Sequence, residues 1–368
     1  MHIVIDGRII SSSTGRYVER LLTYLQEIDH TNRYTVLVPT KDLSFWKPTQ
    51  GNFSVAAADY SNYSFNEQFG LKRLIESLNP DLVHFCMPQQ PILYRGPVIT
   101  TIHDLTLLKT WNSDKNWLIY HAKQWVGRGV FHTAIRKSAQ IITDSHYSKN
   151  DIETYDKSAV GKTTVTYLAA DKADRSLKKY RLTFKKYILY VGAFSDYKNI
   201  RALGDAHQQL LSRHPDLGLV LVGKKSALAL KTESYFKNKR YRNIIFTDFI
   251  NDEERDWLYQ HCEAYIFPSL MEGFGLPGLE AMLYGAPVVS SNTTCLPEIL
   301  GDAAEYFDPY NVNDMANSID RVLSDETLRK EMTKRGYDQV KKYSWRRMAE
   351  QTHAIYMKAL RQSRDEVR

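Results

Sequence analysis

The sequence has few cysteines and no long apolar run. Its 368 residues include three cysteines, Cys86, Cys262 and Cys295. Such a small, odd and widely spread set excludes a disulfide framework, favours a reducing compartment and gives no spacing typical of zinc ligands. No apolar run approaches the ~18 residues of a membrane-spanning helix. The opening residues, MHIVIDGRI, lack the basic and apolar regions of a signal peptide. We therefore expect a cytoplasmic protein that does not span a membrane.

The second half of the chain has no net charge. Residues 186–368 contain 25 Lys and Arg against 25 Asp and Glu, whereas residues 1–185 contain 24 against 17. The basic first half suits an anionic membrane surface or an anionic small molecule, and it is equally consistent with solubility alone. The sequence contains no Lys- and Arg-rich cluster, zinc finger or RNP motif, so we expect no nucleic-acid partner.

Short β-branched runs alternate with helical patterns along the chain. The predicted strands are residues 2–6, 34–38, 82–85, 98–102, 141–143, 187–191, 217–222, 243–247, 264–267 and 287–290. The predicted helices are residues 15–28, 66–78, 115–137, 148–155, 199–213, 252–261, 278–284 and 313–323, with two or three more after them. This alternation indicates parallel sheets that are covered by helices on both faces.

The polar segment 171–186 separates two such series and is typical of a linker. The sequence therefore predicts two doubly wound, Rossmann-like α/β domains, at 1–170 and 187–345, whose parallel sheets face each other across a cleft. The last helix, about 345–368, can pack back on the first domain. Because ligands of such sheets bind outside the carboxyl ends of the strands, we expect the site in the cleft.

The strongest local pattern is MEGFGLPGLEAMLYGAPVVSS (271–291), which follows a predicted buried strand. Its glycines allow the backbone to approach a ligand closely, and Pro277 suits the first turn of a helix. Free N–H groups at the start of that helix form an anion site that fits a diphosphate. Glu272 and Glu280 flank this site, and they are better explained as acceptors for sugar hydroxyls than as phosphate ligands. The plainer alternative is a tight turn with two surface glutamates.

Glu272 and Glu280, with G-F-G-L-P between them, resemble the donor-site motif of the retaining glycosyltransferases of family 4, which have the two-domain GT-B fold. The run GAPVVSSNTTCLPEILGDAAEYFDPYN (285–311) is also similar to that family. The resemblance implies that Glu272 holds the transferred sugar and that Glu280 binds the ribose of the nucleotide. It also implies backbone contacts with the donor from Gly273, Phe274, Gly275 and Leu276.

The segment LYVGAFSDYKN resembles the strand, loop and helix that open the family's second domain. Lys198 matches the lysine that neutralises the donor diphosphate, a role that suits a charged donor group beside phosphate. The arginine that usually accompanies this lysine is missing, because its two usual positions are Ala193 and Tyr197 here. Arg201, one turn further along, is a candidate substitute.

The first half of the chain carries the resemblance more loosely. DGRIISSSTGRYVERLL is similar to the family's first glycine loop, in which Gly15 would approach the donor and Arg16 would lie close by. VITTIHDLTLL resembles the strand that places a histidine, here His103, near the transferred sugar. We expect Asp104 to cap the next turn or to orient His103.

Two more segments resemble the family. In TDSHYSKNDI we expect Ser145 to face the cleft and Ser148 to cap the following helix. NIIFTDFINDEERDWLY is similar to the segment beside the nucleotide base, with Phe249 and Ile250 near the base and contacts made through the backbone.

The resemblance implies a retaining, metal-independent hexosyltransferase. A mannose-like or glucose-like sugar would pass from a nucleotide sugar, such as GDP-mannose or UDP-glucose, to a hydroxyl of a glycan or lipid-linked acceptor in cell-envelope glycan or glycolipid synthesis. His103, Lys198 and Glu272 are the candidate catalytic residues, and Lys198 with nearby N–H groups would stabilise the departing diphosphate. The chain has no Asp-x-Asp pair, so we expect neither a metal clamp nor a cofactor.

A basic amphipathic stretch at 115–137 leads to a membrane hypothesis. Such a stretch can lie on an anionic leaflet, which would attach the protein peripherally to the inner membrane face. The alternative is an ordinary helix packed on its own sheet. The residues concerned are Trp117, Lys123, Trp125, Arg128, Phe131, Arg136 and Lys137.

Two other functions stay open on sequence grounds. The missing arginine near Lys198 is compatible with a nucleotide-sugar-binding protein that has lost catalysis. Another GT-B enzyme, such as a sugar-nucleotide epimerase, is the second alternative, although an epimerase would lack the paired-glutamate element. A dinucleotide dehydrogenase is not supported, since no G-x-G-x-x-G follows a predicted strand.

Overall fold

Buried runs of β-branched residues form two parallel sheets. The computed structural model describes residues 1–12, 14–111, 117–172 and 175–367, and within them the side chains outside 117–123 and 363–367. The first sheet contains β1 (His2–Asp6), β2 (Arg33–Val38), β3 (Phe53–Ala57), β4 (Leu82–Phe85), β5 (Val98–Thr101), β6 (Gln140–Thr143) and β7 (Thr163–Val165). The second contains β8 (Lys186–Val191), β9 (Leu217–Val222), β10 (Ile244–Phe246), β11 (Ala264–Phe267), β12 (Val288–Ser291) and β13 (Ala304–Phe307).

Both sheets are doubly wound. The strand order is β3-β2-β1-β4-β5-β6-β7 in the first sheet and β10-β9-β8-β11-β12-β13 in the second, and the neighbouring strands pair in parallel. The strand order reverses between β1 and β4 and again between β8 and β11. Ligands of such sheets bind outside the carboxyl ends of the strands at these reversal points.

Helices cover both faces of each sheet. They are α1 (Gly15–Ile28), α2 (Lys72–Leu78), α3 (Thr106–Lys109), α4 (Trp117–Lys137), α5 (His146–Tyr155), α6 (Ile200–Leu210), α7 (Ala227–Asn238), α8 (Asp252–His261), α9 (Leu276–Leu283), α10 (Leu296–Leu300), α11 (Val312–Ser324), α12 (Glu326–Val340) and α13 (Trp345–Val367). Separate clusters of buried apolar side chains fill the spaces between helices and sheet in each half. None of the helices, over the residues that are described, is both long enough and apolar enough to cross a bilayer.

The chain divides into two compact units, and α13 belongs to the first of them. The first unit comprises Met1–Leu108, His121–Leu168 and Ser344–Arg368, and the second comprises Lys109–Tyr120 and Ala169–Tyr343. α13 packs along α1. An ion pair of 2.7 Å joins Arg346 on α13 to Glu27 on α1. The last helix therefore completes the fold of the first sheet.

The segment 171–186 is not an isolated linker. Arg175 forms ion pairs with Asp252 and with the fully buried Asp256, and the Lys178 ammonium lies 2.7 Å from Glu254. Its polar residues thus hold it against α8 within the second unit. The sequence predicted a linker here, and the structure shows in addition that its polar side chains pair with α8.

The strands that the sequence did not predict are all edge strands. β3, β7 and β13 lie at the ends of their sheets and are only partly buried. An edge strand carries fewer apolar residues than a central one, so the buried-run pattern fades there. The helix α7 was also not predicted.

A chain of buried polar groups connects α13 to the first sheet. The Tyr356 hydroxyl lies 2.6 Å from Nδ1 of His84, and His84 Nε2 lies 2.8 Å from the hydroxyl of Thr101. Burial and the nearby His103 lower the pKa of His84 to about 3, so its imidazole is neutral at ordinary pH. Because the unfolded chain binds this proton more readily, protonation of His84 opposes folding as the pH falls below about 6.5.

Replacing Tyr356 with Phe should lower the free energy of unfolding of the first unit by about 1–3 kcal/mol, because a buried nitrogen of His84 loses its partner. Denaturant titration followed by circular dichroism measures the change. Tyr310→Phe is the matched control, since Tyr310 is 75% exposed, and it should change stability by less than ~0.5 kcal/mol. Equal stability of the two variants would contradict this role of α13.

Candidate active site

The paired-glutamate motif comprises the turn between β11 and α9 and the first half of α9. Gly275 has a φ of 95° and immediately precedes α9, and Pro277 lies in the first turn of the helix, as predicted. The positive φ favours glycine at position 275, and a Cβ there would also lie 2.7 Å from Leu296 Cδ2, so that this side chain would have to shift. The N–H of Leu276 at the start of α9 thus lies at the carboxyl edge of the second sheet, where an anion can bind.

Lys198 and Glu272 form an ion pair at this edge. The Lys198 Nζ is 2.5 Å from Glu272 Oε1, and the two side chains are only 15% and 12% exposed. Lys198 ends a 3₁₀ turn after β8, and Glu272 follows β11, so the two residues leave the central strands of the sheet. The Leu270 N–H donates to the Tyr197 carbonyl at 2.8 Å, which ties the two loops together.

Phe274 has only its backbone to offer a ligand. Its ring is 4% exposed and packs edge-on against Tyr343, with ring centroids 5.7 Å apart. Gly273 is buried beside it, whereas Leu276 is half-buried. The backbone contacts expected of these residues stay predictions.

Glu280 lies in the middle of α9 and faces α8. The Tyr259 hydroxyl donates to its Oε2 at 3.4 Å. Burial disfavours the charge on Arg255, but Glu280 is the largest of the charges that offset this effect and raise the pKa of Arg255. Arg255 and Tyr259 are four residues apart and therefore share one face of α8. The sequence analysis did not predict a role for either residue. Their four-residue spacing, on the helix before a predicted ribose-binding glutamate, is a signal that could have indicated them.

The segment expected near the nucleotide base follows β10, an edge strand of the second sheet. Phe249 is 82% exposed and Ile250 is half-buried. Asp248, just before them, has a φ of 60°, and its carboxylate accepts the N–H of Lys225 at 2.8 Å. The backbone of this loop is therefore held in place while the ring of Phe249 is left accessible.

Arg201 makes a contact outside the paired-glutamate motif. Its guanidinium lies over the ring of Tyr235 on α7, 5.4 Å from the ring centroid. The first turn of α6 thus directs this arginine towards α7, whereas Lys198 contacts Glu272. Its role as a substitute for the missing arginine stays a prediction.

In the first unit, His103 is paired with an aspartate that sequence reasoning missed. His103 Nδ1 lies 2.7 Å from Asp144 Oδ2. The ring of Tyr17 packs edge-on against the imidazole, with centroids 5.0 Å apart. Burial by itself lowers the pKa of His103, but the charge and hydrogen bond of Asp144 raise it above 6.5 overall.

The glycine loop after β1 places the first turn of α1 next to His103. Gly15 is buried, and a Cβ there would lie 2.0 Å from the carbonyl oxygen of Ile10, so the loop itself requires glycine. Arg16 is half-buried. Because Tyr17 contacts His103, the structure brings Gly15 and Arg16 close to the histidine at the end of β5. Their contacts with the donor stay predictions.

Three expectations about capping and orientation can be compared with the structure. Asp104 accepts the N–H of Thr106 at 2.8 Å, so it caps the next turn as expected. The helix α5 begins at His146, and the buried Ser145 accepts the Ser148 N–H at 3.1 Å. The prediction that Ser148 is the cap was wrong, since the helix starts two residues earlier; the cleft role of Ser145 stays a prediction.

Over the described side chains, no group of three or more His, Cys, Asp or Glu residues is arranged to hold a metal ion. The chemical groups gathered at the two sheet edges are a lysine–glutamate pair with a helix N-terminus in the second unit, and a histidine–aspartate pair in the first.

Comparisons with known proteins identify the family. Residues 14–173 match the family described as Glycosyltransferase Family 4, and residues 173–339 match Glycosyl transferases group 1. The O-antigen chain mannosyltransferase B of Escherichia coli is 32% identical over 290 residues, which cover 72% of this chain and 74% of that protein. The Serotype-specific mannosyltransferase WbdA of Escherichia coli is 36% identical over 198 residues, 51% of this chain but only 24% of WbdA.

Solved structures confirm the predicted GT-B fold. A sucrose-phosphate synthase from Thermosynechococcus elongatus has a TM-score of 0.76 at 17% identity and covers 97% of this chain and 98% of its own. WaaG, a glycosyltransferase involved in lipopolysaccharide biosynthesis, has a TM-score of 0.68 at 13% identity, with 96% and 98% covered. By its two family matches and its 32% identity to a mannosyltransferase over most of both chains, this chain belongs to glycosyltransferase family 4, the glycosyl transferases of group 1.

Proposed function

We propose that the protein is a retaining, metal-independent hexosyltransferase that transfers mannose from GDP-mannose to a hydroxyl of a cell-envelope glycan. The observation that carries the proposal is the Lys198–Glu272 pair beside the N-terminus of α9. Mannose as the sugar is supported by the names of the relatives, an O-antigen chain mannosyltransferase and a serotype-specific mannosyltransferase. UDP-glucose is the alternative donor.

Lys198 provides the positive charge for the donor diphosphate. In the structure its ammonium contacts the Glu272 carboxylate, which compensates a charge that is mostly removed from water. A bound diphosphate competes with Glu272 for this ammonium. Once released, the Glu272 carboxylate can accept hydrogen bonds from sugar hydroxyls. One internal ion pair is thus exchanged for two contacts with the donor.

Catalysis in this proposal consists of stabilising the leaving diphosphate. Lys198 and the N–H groups of the first turn of α9 act where negative charge develops, which is the most effective use of fixed donors. The departing phosphate oxygen takes the proton of the acceptor hydroxyl on the same face of the sugar, so the anomeric configuration is kept. Glu272 holds hydroxyls and does not act as a nucleophile. Glu280, steadied by Tyr259, binds the ribose.

A nucleotide-sugar-binding protein without catalysis is the second candidate. The observation that favours it is the absence of an arginine at Ala193 and Tyr197, while Arg201 contacts Tyr235 instead. Family membership favours transfer over this alternative and over an epimerase. Release of free nucleotide only when an acceptor is added would distinguish transfer from both.

Saturating GDP-mannose without metal should raise the melting temperature, because a ligand at ~100 times its Kd adds about 2.7 kcal/mol of apparent stability. Differential scanning fluorimetry against GDP-, UDP-, ADP- and dTDP-sugars measures the shift. A response to the UDP series alone would overturn the choice of donor. A shift without turnover on any acceptor would favour the catalytically inactive binder.

Glu272→Gln should lower kcat/KM by about 100- to 1000-fold, the loss expected when one group that acts on the transition state is removed. Free GDP should bind at least as tightly as before, because Lys198 no longer has Glu272 as a partner. Glu280→Gln should instead weaken GDP, and His103→Gln should mainly lower kcat. Steady-state kinetics and calorimetry give these values.

The control is Glu326→Gln, a surface glutamate of the same unit that pairs with Lys330 and is 70% exposed. Its kinetics should match those of the native protein. Weaker GDP binding in Glu272→Gln than in Glu280→Gln would contradict the assignment of the two glutamates.

We also propose that the first unit attaches to the anionic inner face of the membrane, where a lipid-linked acceptor would lie. Trp125 is 80% exposed and Val126 is 46% exposed on α4, and Leu107 beside them is 51% exposed. The Gln124 amide donates to the Leu107 carbonyl at 2.6 Å, which joins the two segments. Of the residues in the sequence-based hypothesis, the side chains of Trp117 and Lys123 lie outside the described residues.

The protein should co-sediment with vesicles that contain anionic phosphatidylglycerol, and binding should fade as salt rises. Trp125→Ser should weaken this binding, because a large apolar side chain is removed from the contact. Tyr310→Ser, which removes an aromatic residue that is 75% exposed in the second unit, is the control. Equal recovery with neutral phosphatidylcholine vesicles, or none with either, would contradict the proposal.

A further inference from the structure

The pairing of His103 with Asp144 follows from the register of two adjacent strands. Thr101 on β5 lies opposite Ile142 on β6. Two residues further along, His103 leaves β5 at the same level at which Asp144 leaves β6. Their 2.7 Å contact joins Nδ1 of the imidazole to Oδ2 of the carboxylate, and the Asp144 side chain is only 3% exposed. The contact is therefore built into the sheet edge and does not depend on a mobile loop.

A second contact restrains the imidazole. Tyr17 packs against it edge-on, with an interplanar angle of 83°. The Tyr17 hydroxyl lies 2.9 Å from that of Thr101, which also contacts His84. Since His84 is bonded to Tyr356, the ring of Tyr17 is held by buried polar groups that reach α13. The imidazole of His103 thus has little freedom to rotate.

Of the groups around His103, Asp144 does most to raise the pKa of the imidazole. Burial keeps the Tyr17 hydroxyl and the Cys86 thiol neutral by raising their pKa values, and it keeps His84 neutral by lowering its pKa. Asp104 also faces the ring, but burial raises the pKa of its carboxyl. Asp144 contributes both a charge and a hydrogen bond to the protonated imidazole.

We propose that Asp144 is a positioning residue for sugar transfer, which holds the His103 ring in one orientation and stabilises its protonated form. The proposal rests on the proposed function for its link to turnover. Nδ1 is engaged by Asp144, and Nε2 is shielded from solvent. Nε2 is therefore not part of the 15% of the side chain that is exposed. The C–H groups of an imidazolium ring carry partial positive charge, which suits an oxygen of the donor.

The test compares native protein, Asp144→Asn and His103→Gln by nuclear magnetic resonance and by kinetics. The imidazole resonance that is lost in His103→Gln belongs to His103. In Asp144→Asn its titration should move down by at least about one pH unit, because the amide can still accept the hydrogen bond but carries no charge. The pH at which kcat falls on the alkaline side (the kcat limb) should decrease by a similar amount, with little change in the KM for the donor.

A matched control exists in the same unit. His132 Nδ1 pairs with Asp156 Oδ2, also at 2.7 Å, but His132 is 40% exposed and lies on α4. Asp156→Asn should leave the titration of His103 and the kcat limb unchanged. If Asp144→Asn does not fold, the limb should still disappear in His103→Gln, and its persistence there would overturn the proposal.

The outcomes distinguish the His103–Asp144 pairing from the role of Asp144 in turnover. An unchanged His103 titration in Asp144→Asn overturns the pairing, whatever the protein's activity. A shifted titration with an unmoved kcat limb overturns the role in turnover and leaves the proposed function intact. If the native protein transfers no sugar from any donor, the proposed function fails, and the role of Asp144 in turnover fails with it, while the titration still decides the pairing.

Discussion

Parallel pairing of the strands in both sheets is the constraint on which the candidate sites depend. In a parallel sheet every strand ends at the same edge, so residues that are distant in sequence emerge side by side. Lys198 and Glu272 leave β8 and β11, which are neighbours, and meet in an ion pair. His103 and Asp144 leave β5 and β6 in the same way. The chemistry at each edge is thus assembled by strand order, while the loops supply the individual groups.

Both pairs also show how a partly buried charge is stabilised by the protein itself. Removing an ammonium or imidazolium from water is costly unless an opposite charge lies close by. Glu272 and Asp144 provide these charges, but at different depths. Glu272 is 12% exposed, whereas Asp144 is 3% exposed. In the proposed reaction the first carboxylate serves as an exchangeable partner and the second as a fixed one.

The family, the fold and the donor-side motif could be predicted from sequence because they are local patterns. Glu272, Gly275 and Pro277 lie within six residues, and each has a distinct physical reason to be there. Asp144 could not be predicted, because 41 residues separate it from His103 and only the strand register brings them together. The ion pair that holds Arg175 against α8 was missed for the same reason, because it joins residues that are distant in sequence. The edge strands were missed because their partial burial weakens the apolar pattern.

The place of α13 in the first unit has a consequence for synthesis. A ribosome makes the seven strands of the first sheet, then the main part of the second unit, Ala169–Tyr343, and only then the helix that carries Tyr356. At 5–20 residues per second, roughly 10–40 s pass between the last strand of that sheet and this tyrosine. During this interval α1 has an uncovered flank and His84 lacks one partner. The second unit is thus free to fold on the ribosome before the first is finished, which reverses the usual order of domain folding.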